Sequence, residues 1–194
     1  IGLVSAQGNS PIINLTNSGY MSGSPRFALD GNAILFKTER YGMRAHASWG
    51  SQDDAMLIFL NQDAYDKYCL SKEDYELRKE LEAEQKKAQG KDARKDKKKS
   101  QKDTGKDKAD DDSPQVKDII VKLKNLEDRI VRLTPNSSDM GSVIISKDGE
   151  TLYYLAAFED GYDLWKMDLR KKETRLLFIL WSNRCLLYTS DAAD

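Results

Sequence analysis

The chain is poor in the residues that do covalent chemistry: one histidine and two cysteines in 194 residues. Any Ser-His-Asp or Cys-His mechanism wholly inside it therefore depends on His46, and so small a set of soft ligands cannot build a zinc tetrad. No apolar run approaches the ~20 residues that a membrane-spanning helix needs, and the start at Ile1 has neither the charged head nor the apolar centre of a secretory leader. With 31 basic and 32 acidic residues the formal charge is −1, which excludes the global basic excess of many nucleic-acid binders. Residues 85–113 contain no Val, Ile, Leu, Met or aromatic side chain, so this stretch cannot bury enough surface to offset its own chain entropy.

What the chain has instead is an internal repeat. Ile12, Leu15, Thr16, Gly23, Ser24, Asp30 and Gly31 recur, at a constant offset of 118 residues, as Ile130, Leu133, Thr134, Gly141, Ser142, Asp148 and Gly149. Short apolar runs between polar turn signals read as strands, and the Asp30-Gly31 and Asp148-Gly149 pairs read as tight hairpin turns. The first copy supplies runs at 11–16, 24–31, 33–38 and 55–60, and the second at 143–146, 151–157 and 162–169. Ile34 and Phe36 share one face with their counterparts Leu152 and Tyr154, while Leu35 and Tyr153 fall on the other. Both faces are apolar, as in sheets stacked between neighbours. The expected fold class is all-β: a partial β-propeller of about two four-stranded antiparallel blades, interrupted by a charged insertion.

The expected organisation is a first repeat over residues 1–61, an insertion over 62–118, a second repeat over 119–184 and a terminal artefact over 185–194. The last of these, which contains Cys185, resembles a translated sequencing adapter. Within the insertion a helix is expected over about 72–89, opened by Ser71 as N-cap and acidic residues in the first turn. A disordered Lys/Asp-rich linker is expected over about 90–117. The run from Lys86 to Ser113 carries an excess of four positive charges. Interleaved aspartates dilute that potential and no aromatic is there to stack a base, which leaves a solvated linker or a docking tail for an acidic partner, and no nucleic acid. Order is expected to resume at 118–123 with a strand completing the interrupted blade.

No cofactor is expected, and no metal: Asp110-Asp111-Asp112 lacks the spaced ligands and turn glycine of a calcium loop. No catalytic residue is expected either, because the surroundings of His46 contain no nucleophile-elbow pattern. The segment from Arg40 to Gln52 is much longer than its counterpart in the second copy. It carries Arg40, Arg44, His46 and Trp49, which either meet peptide or a neighbouring domain or pack on their own blade.

The order Leu-Thr, short strand, Asp-Gly, aromatic strand, then Asp163-Leu-Trp-Lys-Met-Asp-Leu169 resembles the TolB-type propeller repeat. More closely, the segments Gly19 to Phe27, Phe36 to Arg44 and Asn125 to Ser138 resemble the propeller region of tricorn-protease homologues from Bacteroidota. That resemblance covers about Asn9 to Leu177. It implies a non-catalytic segment of a large periplasmic or envelope-located serine peptidase, whose PDZ-like and catalytic domains would be its partners along with peptides or unfolded protein. An oligomeric full-length assembly is compatible with that resemblance. None of the family's catalytic motifs matches a position in this sequence. A TolB-like scaffolding propeller of the cell envelope is the alternative.

Overall fold

The computed structural model describes residues 1–46, 49–99, 119–158 and 161–180, with side chains outside that description at 44–50 and 86–99. These residues divide into two compact units, one formed by Ile1–Tyr68 together with the chain from Ile119 onward, the other by the segment that begins at Cys69. The regular structure described in the first unit is mainly antiparallel strand. In chain order they are β1 (Gly2–Leu3), β2 (Ile13–Asn14), β3 (Ser22–Ala28), β4 (Ala33–Thr38), β5 (Arg44–His46), β6 (Trp49–Ser51), β7 (Asp54–Phe59), β8 (Ile130–Arg132), β9 (Asp139–Ile145), β10 (Thr151–Ala157), β11 (Asp163–Asp168) and β12 (Glu173–Ile179).

Two four-stranded sheets result, ordered β3-β4-β7-β8 and β9-β10-β11-β12, with two-stranded pairs β1-β2 and β5-β6 beside them. This is the all-β, partial propeller-like architecture that the strand pattern predicts. The repeated residues mark equivalent places in the two sheets. The first strand of each sheet slips register opposite the second at or beside the repeated Gly-Ser pair, between Gly23 and Arg26 in one sheet and between Met140 and Val143 in the other. Such bulges add twist to an edge. The Asp-Gly turns differ in detail. Leu29, Asp30 and Gly31 all have positive φ, whereas in the second turn only Gly149 does, and Asp148 accepts the Glu150 amide at 3.0 Å.

The two sheets stack through complementary faces. Leu35, Leu57, Phe59 and Leu133 of the first share one core with Val143, Leu152, Tyr154 and Met167 of the second. The other face of the first sheet buries Ile34, Phe36, Met56 and Ile58 with Leu15, against Ile1, Leu3 and Ile13. β7 is thus covered on both sides, which is why it reads as an unbroken apolar run rather than an alternating one.

Two expectations need correction. The run 11–16 is not the first strand of a four-stranded sheet, because among the described residues β2 pairs with β1 alone. The run 118–123 is not the strand that completes the first blade either. That place belongs to β8, which pairs with β7 through Met56↔Arg132 and Ile58↔Ile130. The segment before β8 touches the sheet through the Lys122 amide on the Leu60 carbonyl at 2.8 Å. The buried Arg129 guanidinium then holds it as a loop, donating to the carbonyls of Phe59 at 3.1 Å, Lys124 at 3.0 Å and Lys122.

Between β7 and β8 the chain forms α1 (Gln62–Cys69) and α2 (Lys72–Lys99). Sequence reasoning passed over α1. Asn61 caps it through the Ala64 amide at 2.9 Å, and Tyr65 and Tyr68 bring it onto Phe59, with ring centroids 5.6 and 5.1 Å apart. Ser71 caps α2 through the Asp74 amide at 3.1 Å, as its sequence predicts. The helix continues ten residues past the expected end near 89, as Lys, Arg, Ala and Gln are good helix formers and Gly90 weakens the helix by only about 1 kcal/mol. The remainder of the expected linker, and residues 181–194, lie outside the described residues.

Candidate functional site

One end of both sheets gathers most of the polar side chains that are buried. Thr38 ends β4, Asp54 starts β7, Arg132 ends β8 and Asp139 starts β9, so antiparallel pairing brings them to the same edge. Asp54 lies at the centre and is fully buried. Its Oδ1 accepts from Arg132 Nε at 3.0 Å, Arg132 Nη2 at 2.8 Å and Thr134 Oγ1 at 2.9 Å. Its Oδ2 accepts from Ser137 Oγ at 2.8 Å. Thr134 Oγ1 in turn accepts the Ala55 amide at 3.2 Å. A buried carboxylate with this many donors is a fixed structural joint, since its charge is met on every side.

A second group joins the two sheets. Lys37 Nζ donates to the carbonyls of Met140 at 2.8 Å and Gly141 at 3.2 Å and lies 3.4 Å from Asp53 Oδ2. Burial holds the Asp53 carboxyl above its usual range, and the Lys37 ammonium offsets only part of that. Tyr162 donates to Asp139 Oδ1 at 2.9 Å, and this bond to a carboxylate is the main reason its phenol titrates above the ordinary tyrosine range.

Above this footing stands the connection from β4 to β7, residues 39–53, which folds back as the β5-β6 hairpin with backbone pairs Arg44↔Ser51 and His46↔Trp49. The equivalent connection of the second sheet spans only residues 158–162. Gly42 sits where the two arms of the long connection cross, and a Cβ there would collide with the Gln52 carbonyl. Tyr41, half exposed, receives two cations over its ring: Arg132 at 5.0 Å and Arg40 at 5.5 Å. Met43 is 75% exposed, so the connection presents an apolar side chain as well as cations to solvent.

Of the predicted contact residues, Arg40 is thus brought onto Tyr41. The side chains of Arg44, His46 and Trp49 lie outside the described residues, although their backbones form the hairpin. The turn residues Asp30, Gly31, Asp148 and Gly149 lie at the opposite end of the sheets from this cluster. Sequence reasoning missed Asp54, Arg132, Ser137 and Tyr41. Thr134 alone was visible, as a repeat identity. Chemically, the described side chains of this end can bind and orient. Ser137 gives its proton to a carboxylate that is already saturated with donors, and the arrangement has no described base to activate it. No group of three or more acidic, His or Cys side chains among the described residues is disposed to hold a metal ion.

The chain matches no family model and no curated protein sequence. Among solved structures it is similar to the crystal structure of the tricorn protease, with a TM-score of 0.49 and 9% identity, over 90% of this chain and 15% of that one. The chain therefore spans a small part of that protein's length. No helix among the described residues is long and apolar enough to cross a membrane.

Proposed function

We propose that this chain is a non-catalytic, propeller-type scaffold segment of a tricorn-like serine peptidase of the periplasm or cell envelope. In this reading it supports assembly and governs the access of peptides to a catalytic domain elsewhere in the protein. The end bearing Arg40, Tyr41 and the β5-β6 hairpin, with Arg44, His46 and Trp49, meets extended peptide or the PDZ-like and catalytic domains. The reading is supported by the resemblance of the segments around Gly19, Phe36 and Asn125 and by the two stacked sheets. The observation that carries it is the asymmetry of the connections: residues 39–53 build a separate hairpin, set on a buried ionic joint, where the second sheet uses five residues. A long loop fixed on a rigid scaffold is a usual place for recognition. Exposed aromatic and arginine side chains are the types that dominate contact energies.

The test is binding of fluorescently labelled unfolded-protein peptides to the chain and to its Arg40→Ala/Tyr41→Ala variant, followed by anisotropy. The expected result is affinity reduced about tenfold in the variant, with no peptide cleavage by either. Equal affinity, absence of binding, or hydrolysis by the isolated chain would remove the proposal.

A further inference from the structure

The small β1-β2 pair repeats the outer half of the first sheet bond for bond. At the 118-residue offset, Leu15 corresponds to Leu133 and Thr16 to Thr134. The Leu15 amide donates to the Ile1 carbonyl at 2.8 Å, and the Leu133 amide donates to the Ala55 carbonyl at 2.8 Å. The Ile1 nitrogen donates to Thr16 Oγ1 at 2.8 Å, and the Ala55 nitrogen donates to Thr134 Oγ1 at 3.2 Å. The pairing Gly2↔Asn14 and Leu3↔Ile13 matches Met56↔Arg132 and Leu57↔Val131. β1 is therefore the counterpart of β7, and β2 of β8.

Packing obeys the same correspondence. Ala55, Leu57, Leu133 and Val131 sit on the face of the first sheet that meets the second. Their counterparts Ile1, Leu3, Leu15 and Ile13 sit in the core against the opposite face of the first sheet. The pair β1-β2 thus stands to the first sheet as the first sheet stands to the second. What the correspondence lacks, among the described residues, is a neighbour for β1 on the side where β7 pairs with β4. Because the Ile1 carbonyl points to β2, the backbone groups of Gly2 point to that unpaired edge, as those of Met56 point to Phe36.

We infer that β1-β2 is the outer half of a further blade, and that the free edge of β1 takes a β3-β4-type strand pair of this protein's own repeat, antiparallel and in the Phe36↔Met56 register. The strand so received carries an apolar residue opposite Leu3, as Leu35 stands opposite Leu57, and a bulky apolar residue opposite Gly2, as Phe36 stands opposite Met56. The inference rests on strand pairing and packing, and is independent of the proposed peptide role.

The experiment uses the full chain, alone and preceded by a second copy of residues 22–54, so that the added Asp54 joins Ile1 as it joins Ala55 in the parent. A control carries Leu35→Pro and Phe36→Pro in the added copy only. Amide exchange is read by NMR at Gly2. Alone and in the control, Gly2 exchanges freely; with the intact copy it slows by about a hundredfold or more, as a ladder amide does. Equal exchange at Gly2 in the intact and proline-bearing forms overturns the inference. So does a chain that dimerises unaided with Gly2 already protected, since a second copy would then own the edge.

Discussion

Replacing Asp54 by alanine tests whether the buried joint at the loop end holds the first sheet together. The variant loses the acceptor of four hydrogen bonds, from Arg132 twice, Thr134 and Ser137. Breaking a buried ion pair from one side costs about 3–5 kcal/mol. The Arg132 side chain is 33% exposed and recovers part of its hydration, which puts the ion-pair loss at about 2 kcal/mol. The Thr134 hydroxyl, 2% exposed, cannot reach water and adds about 1 kcal/mol. The total is about 3 kcal/mol. Asp54→Asn keeps the shape and one acceptor oxygen, so about half of that loss is expected, from the weaker neutral bonds. Urea unfolding of the three proteins measures both differences through the transition midpoint at constant slope. A loss below about 1 kcal/mol for alanine, or asparagine worse than alanine, would refute the reasoning, because the joint would then be a surface ion pair.

Asp53, one residue away, is expected to behave oppositely. Its folded pKa is raised by burial, so its stabilising contribution is full below the unfolded value of 3.8 and is lost as pH rises through the folded value. Asp53→Asn therefore gains stability relative to the parent at neutral pH, and the gap closes as pH falls below the carboxylate range in a pH series of urea midpoints. Leu57→Ala empties a fully buried place between the two sheets and should cost about 3 kcal/mol in the same assay, whereas Leu77→Ala, on an α2 residue that is 62% exposed, should change stability by less than about 0.5 kcal/mol.

The strands and their two apolar faces were legible because alternation is local: Ile34 and Phe36 against Leu35 can be read off six residues. The Asp-Gly turns were legible for the same reason. The phase of the repeat was not. A repeat found by self-comparison has no marked beginning, and here each copy opens with the outer strand of the sheet before it, so 130–132 belong to the first sheet although they lie in the second copy. The run 118–123 looked like a strand because it is apolar, yet the Arg129 guanidinium takes carbonyls of Lys122 and Lys124 that a ladder would have used. Helix α1 has no fully buried residue, and its apolar face, Ala64, Tyr65 and Tyr68, is confined to eight residues, too short a stripe to be read as a helix. The Asp54 joint was invisible for a different reason. Its partners lie 78 to 83 positions away, and Asp53-Asp54 reads locally as a polar turn before a strand.

The stacking of successive sheets in one repeating order is the claim on which the rest depends, and methyl-to-methyl nuclear Overhauser contacts test it most directly. The expected contacts link the Leu35 and Leu57 side of the first sheet to Val143 and Leu152, and its Ile34 and Ile58 side to Leu3 and Leu15. Contacts from Ile34 or Ile58 to Leu152, or none between the first and second sheets, would contradict it.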